Sequence, residues 1–401
     1  MIAVNMFAPA VALVSSPLLA RALGPDGRGL YAALTVPLIL AGTLGTLGMQ
    51  DSLTYHVANK LLSVRGALKF ALWWIAPASI LTVICTGAYG FYLFSSESLV
   101  RGTFFILLAA VPFQIALNLL AGIATGSRNF SSIYVIQIAS PLLRLGFLVS
   151  LLGLVIGKPE IAAAIFFAPS ILLVPLVWRR VRREHNPKTE DRASRKEAGR
   201  YALAAFPGVL ATLSTARLDQ LLALPLIGAS QLGIYASAVA LAELPLVVAL
   251  AARTLSLSAP GENPAVSQTR LLRNSFFLTS LTCFFLWVAA PTIIPTLFGT
   301  DFTGAIEPCR ILLTGSLLYA VASTCTGILL RAGRPKTQST LLILSAGLGV
   351  IGLFALAPYG AVGAALASSL SYAAVSIVAL ACVLALPGFS VRLLTRVFLF
   401  R

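Results

Sequence analysis

From Thr337 to Val391 the chain carries no Asp, Glu, Lys, Arg or His. A soluble fold would have no charged side chains with which to cover so long a run. The hydrocarbon core of a bilayer, by contrast, accepts about 20 apolar residues per helical crossing. The run is too long for one crossing and suits two, divided by "APYGA" at 357–361. The rest of the chain obeys the same rule. Charged residues make up 10% of its 401 residues, against roughly 25% in soluble domains. Composition therefore leaves the integral membrane class. The apolar runs are too long, and too rich in Leu, Ala and Gly, for the alternating strands of about ten residues that build outer-membrane barrels.

Division at charges, Pro and Gly predicts an all-α protein with 12 transmembrane helices. Six lie near 2–20, 31–52, 70–94, 102–125, 130–153 and 160–178. Six more lie near 201–224, 232–252, 274–298, 311–330, 338–357 and 360–386. The domains expected are an N-terminal six-helix lobe (1–178), a basic linker (179–200), a C-terminal six-helix lobe (201–386) and a tail (387–401). The opening "MIAVNMFAPAVALVSSPLLA" has no basic n-region and reads as the first span rather than a cleaved leader.

The net charge of +16 would suggest nucleic acid in a soluble protein. Its distribution says otherwise. With the N-terminus inside, 22 of the 29 Lys and Arg residues fall in inner loops and the tail, nine of them between Arg179 and Arg200. Only Arg21, Arg28, Arg101, Lys158 and Arg310 fall outside. This asymmetry predicts cytoplasmic termini and makes the charge a topology label, with no nucleic-acid partner. The linker is expected to lie in solvent near anionic lipid heads. The five cysteines stand singly, without metal-ligand spacing, and read as small packing residues.

A shift of 204 residues lays Gly24 on Gly228, Gly29 on Gly233, Tyr31 on Tyr235 and Ala32 on Ala236. The same shift lays Leu93-Phe94 on Leu297-Phe298, and Gly122-Ile123 meets Gly327-Ile328 one residue later. Order and offset together indicate a duplication. Each half holds an even number of helices, so the halves enter from the same side as parallel repeats with a cavity between them. The Gly-rich turn is expected outside, with its tyrosine anchoring at the interface. "GPDGRG" follows no strand and lacks Lys-Ser/Thr, so it is not a nucleotide loop.

Four segments resemble the polysaccharide (Wzx-type, O-antigen) flippases of the multidrug/oligosaccharidyl-lipid/polysaccharide (MOP) exporter superfamily. They are "LARALGPDGRGLYAAL" at 19–34, "RLDQLLALPLIGASQLGIYASAVALAELP" at 217–245, "LFGTDFTGAIEPCRILL" at 297–313 and "RAGRPK" at 331–336. Some relatives have fourteen helices where this chain has room for 12. The resemblance implies the MATE-like fold of that superfamily, two lobes around a central cavity that opens to either side in turn. It also implies a cargo, a lipid-linked oligosaccharide of the undecaprenyl diphosphate type, moved from the inner to the outer leaflet for surface or exopolysaccharide assembly. A polysaccharide polymerase or other assembly proteins would then be partners.

Charges inside spans are costly and mark pathways by default. The candidates are Arg144 in helix 5, Arg217 and Asp219 in helix 7, and Glu243 in helix 8. An arginine fork suits a diphosphate, so Arg144 and Arg217 are assigned to the cargo. Gln114, Asn118 and Gln137 are weaker candidates for sugar hydrogen bonds. Arg217 and Asp219 lie on different faces of their helix, so Glu243 across helices, or Arg144, is a more plausible partner than either is for the other. A purely structural ion pair, or snorkelling of Arg217 to the headgroups, remains open. Asp51 and His56 are expected at the cytoplasmic interface. No cofactor is expected, and coupling to H⁺ or Na⁺ is left open. A cation-coupled drug or metabolite antiporter of the same fold is the alternative, with Glu243 or Asp219 as ion carboxylate. An enzyme is disfavoured, because the outer loops are short and hold no His and no paired carboxylates beyond Asp301 and Glu307.

Overall fold

The computed structural model describes residues 2–95, 98–183, 195–258, 264–387 and 389. Half of the 179–200 linker, residues 184–194 (including His185), and nearly all of the tail lie outside the described residues. Every regular element described is helical. In order they are α1 (Ile2–Leu44), α2 (Met49–Ala58), α3 (Val64–Leu93), α4 (Ser98–Leu107), α5 (Val111–Gly126), α6 (Phe130–Tyr134), α7 (Ser140–Ser150) and α8 (Leu152–Val155). There follow α9 (Pro159–Arg183), α10 (Arg195–Ala242), α11 (Leu244–Ser258), α12 (Pro264–Phe298), α13 (Ile306–Arg331), α14 (Pro335–Leu356) and α15 (Gly360–Leu384). Among the described residues nine helices are long and apolar enough to cross a membrane, one of them the joined run Lys336–Leu384. That run breaks at a short 3₁₀ turn, Ala357–Tyr359, inside the expected "APYGA" divider.

The expected loops between helices 1 and 2, and between 7 and 8, are instead single-residue breaks. α1 is helical throughout except at Gly24 (φ 68°, ψ 178°), and α10 except at Gly228 (φ 79°, ψ 169°). This backbone region is open essentially to glycine alone. The two breaks stand 204 residues apart with nearly equal dihedrals, so the sequence repeat is also a conformational one.

Smaller irregularities sit just before prolines. A 3₁₀ turn at Leu108–Ala110 precedes Pro112, a π turn at Val135–Ala139 precedes Pro141, and the α10–α11 junction at Glu243 precedes Pro245. In each case the proline lacks the N–H that would bond four residues back and crowds that carbonyl.

The helices are turned inside out relative to a soluble protein. Ile84, Phe284, Phe285, Ile351 and Ile377 are exposed, which suits lipid contact. The buried side of α13 is built largely of small residues, among them Gly315, Ser316, Ala320, Ala322, Ser323, Thr324, Cys325 and Gly327. Small residues let membrane helices approach and bring hydroxyls to neighbouring carbonyls. Ser316 and Ser323 donate to the carbonyls of Ala242 and Ala249, at 2.9 and 3.4 Å.

The chain divides into two compact units. The first holds Ala3–Ser15 and Leu30–Leu213, the second Ser16–Gly29 and Ser214–Arg401. The stretch around the first glycine break thus belongs to the second unit, and the start of α10 belongs to the first. In the first unit Ser52 donates to the carbonyl of Ala198 at 2.8 Å, and Tyr55 stacks on Tyr201 with centroids 4.6 Å apart. His56, expected at the interface, is buried beneath this contact, with its ring edge-on to Tyr201 at 5.5 Å. Asp51 is exposed.

Candidate functional site

In the second unit the two glycine turns meet. A Cβ on Gly29 would lie 1.8 Å from the carbonyl oxygen of Ala229, and one on Gly233 would lie 1.9 Å from that of Pro25. Pro25 and Ala229 are themselves equivalent under the 204-residue shift, so the contact is reciprocal. The residues around it are not exposed loop. Arg28, expected outside, is 8% exposed and donates to Ser16 Oγ at 2.9 Å. Arg21 donates to the carbonyls of Thr296 and Leu297 at the end of α12, where a cation complements the helix dipole. Tyr31 and Tyr235, expected as interface anchors, are both buried, Tyr235 completely.

Tyr235 is buried because it reaches a carboxylate. Its hydroxyl donates to Asp219 Oδ2 and lies 3.0 Å from Ser368 Oγ, which is itself 3.5 Å from the same carboxylate oxygen. Asp219 Oδ1 is buried and has no hydrogen-bond partner. Tyr372, one turn beyond Ser368 on α15, packs on Tyr319 of α13 with ring centroids 4.9 Å apart. Tyr235 and Ser368 were not among the sequence candidates. The signal for Tyr235 was present in the repeat, whereas nothing in the sequence ties Ser368 to Asp219.

Arg217, on the same helix as Asp219, turns to Glu243. Its Nη1 lies 2.8 Å from Glu243 Oε1 and its Nη2 3.5 Å from Oε2, a two-pronged ion pair. The side chains are 35% and 42% exposed. The glycine break at Gly228 and the proline-induced junction at Glu243 bring together residues far apart along one helical run.

The first unit holds the other candidates and a different arrangement. Arg144 lies on α7, its guanidinium carbon 3.9 Å from the ring centroid of Phe166 on α9. The Phe166 ring also meets Tyr31 edge-on at 6.4 Å. Arg144 Nε is buried without a hydrogen-bond partner, and no carboxylate pairs with this arginine among the described residues. A desolvated stack of this kind contributes about 2 kcal/mol, against about 3 kcal/mol for placing an arginine at the centre of a span. The ring offsets the burial only in part. Gln137 sits in the π turn on the same broken helix, and such turns favour functional positions. Asn118 is already engaged, donating to the Gly42 carbonyl at 3.0 Å, and Gln114 packs against Gly42 in the same contact.

No family model matches the sequence, and no curated protein is significantly similar to it. Solved structures are. A multidrug resistance MATE family transporter of the MOP superfamily, in an inward-facing conformation, superposes with a TM-score of 0.73 at 16% identity over 96% of this chain and 97% of its own. The lipid II flippase MurJ, in an inward closed conformation, gives 0.73 at 15% identity over 99% of this chain and 89% of its own. The fold is that of the MOP transporters. A MOP superfamily transporter from Pyrococcus furiosus, described as having a binding pocket of reversed polarity, gives 0.65 at 15% identity over 95% and 92% of the two chains. The nine long apolar helices among the described residues, in this fold, make this a multi-pass membrane protein.

Proposed function

We propose that this MOP-fold protein flips a lipid-linked oligosaccharide, of the undecaprenyl diphosphate type, from the inner to the outer leaflet of a bacterial cytoplasmic membrane. It would do so by alternating access of a cavity between six-helix lobes (1–178 and 201–386), with 12 crossings and both termini inside. Surface polysaccharide assembly, in the manner of the O-antigen flippases, is the setting that the four sequence segments support. Arg144 carries the reading. It is a charge inside a span, stacked on an aromatic ring but without a carboxylate partner among the described residues, so an anionic group from the cargo completes its environment. Arg217, neutralised by Glu243, has no such remainder.

The test uses cells lacking the protein and a label confined to the periplasm. Wild-type chain should restore labelling of the lipid-linked oligosaccharide. Arg144→Ala, at normal protein level, should leave that intermediate unlabelled and accumulating; labelling at the wild-type level would sink the assignment. A reporter inserted in the 179–200 linker should be active only in its cytoplasmic form.

Asp219 favours a second reading, a cation-coupled antiporter of the same fold. A carboxylate with two hydroxyls on one oxygen and a buried, unpartnered second oxygen is suited to holding H⁺ or Na⁺. Asp219→Asn should then abolish the dependence of transport on an imposed ion gradient. Gradient-dependent transport that survives the substitution removes Asp219 from coupling.

A further inference from the structure

The helix that begins at Phe130 and the last turn of α9 enclose an open groove of about 510 Å³ in the first unit. It is lined by Asn129, Phe130, Ser131, Arg180 and Arg183. We propose that this groove binds the phosphate of an anionic lipid headgroup, at a site separate from the cargo path.

The local fold builds the groove. The chain leaves α5 and turns sharply at Arg128, which takes a positive φ of 58°. Asn129 then caps the next helix, its Oδ1 accepting the Ser132 N–H at 2.9 Å. The opening turn of this helix thereby brings the Ser131 hydroxyl to the end of α9. There Arg180 donates to Ser131 Oγ at 3.2 Å, which commits one of its five N–H donors and holds the guanidinium at the mouth. Arg183 follows three residues later, on the same face of α9. No carboxylate among the described residues neutralises either guanidinium. Two forks converging on one hydroxyl-bearing helix start form a phosphate-recognising set.

The surroundings select a lipid over a soluble anion. Phe130 and Tyr134 are 46% and 42% exposed, and their rings lie 6.5 Å apart on consecutive turns, Phe130 lining the groove beside the arginines. Exposed aromatics at the end of an apolar span lie at headgroup depth. A basic pocket between membrane helices at that depth is where an anionic headgroup docks with its chains still in the bilayer. A free phosphate would gain nothing from the aromatic pair.

The full chain, purified in non-ionic detergent, is titrated with dioleoyl phosphatidylglycerol or dioleoyl phosphatidylcholine, and retained lipid is counted by native mass spectrometry. Phosphatidylglycerol should be retained in preference. Arg180→Gln with Arg183→Gln should weaken its retention about tenfold. Arg179→Gln with Arg182→Gln removes the same charge from the same helix outside the groove and should change retention little. Ser131→Asp, an exposed substitution that the fold tolerates, places a carboxylate beside Arg180 and should also exclude the lipid. Equal retention of the two lipids, equal loss in the two arginine pairs, or wild-type retention by Ser131→Asp would overturn the site. Displacement of phosphatidylglycerol by millimolar inorganic phosphate would overturn its assignment to a lipid.

Discussion

The two halves of this chain share their hinges and differ in their charges. Gly24 and Gly228 break their helices at equivalent positions with nearly equal dihedrals, and Gly29 and Gly233 press on each other's neighbours in the same way. The intramembrane charges have no such correspondence. The first unit presents Arg144 on a phenylalanine ring. The second presents Arg217 paired to Glu243, and Asp219 held by Tyr235 and Ser368. Backbone geometry has been kept in both copies, while the polar groups have been divided between them. What both copies need, a tight reversal between two spans, is mechanical; what each copy holds alone is chemical.

That contrast can be broken in order of effect. Arg144→Ala should abolish labelling of the cargo, the largest consequence expected of any single residue here, and Arg144→Lys should recover only part of it, since the planar fork is lost. Full recovery by lysine would reduce the role of Arg144 to its charge. The shared hinges make a prediction of equality. Gly29→Ala and Gly233→Ala each drive a Cβ into a backbone carbonyl that cannot rotate away, and each should lower stability by about 3 kcal/mol. Gly24→Ala, where nothing lies within 4 Å, should cost only the backbone strain, about 1–2 kcal/mol. Thermal unfolding in detergent would rank them, and unequal values for Gly29 and Gly233 would mean that the two turns have diverged in mechanics as well. Glu243→Gln should cost less again, about 1 kcal/mol, because the Glu243 side chain is 42% exposed. Replacing Arg217 as well should return most of that loss if the pair is structural.

The sequence displays the spans plainly, because the bilayer demands a run of apolar residues that nothing else in the chain imitates. The run from Thr337 to Val391 divides at "APYGA", as expected, since a proline and a glycine there admit a turn. The shape of the connections is less visible. "GPDGRG" reads as a loop by composition, yet one glycine is sufficient to break the helix, and Arg28 and Tyr31 are drawn into packing rather than left at the surface. The candidate charges stand out because each is an exception to its surroundings. Their partners do not. Glu243 is recognisable as a counter-charge to Arg217, whereas Tyr235 and Ser368 become partners of Asp219 only when three helical segments converge. Phe166 is hidden for the same reason, as one aromatic among many until Arg144 lies over it. Asn118, which resembles a sugar ligand in a list of intramembrane polar residues, is engaged with the carbonyl of Gly42.

The reciprocal contact at Gly29 and Gly233 has a consequence for how the chain can be altered. Each glycine is confined by a carbonyl from the other turn, Ala229 for one and Pro25 for the other. A side chain gained in either turn would collide with the backbone of its counterpart. The two positions therefore work as one joint, and a change made on one side cannot be relieved by a change of side chain on the other.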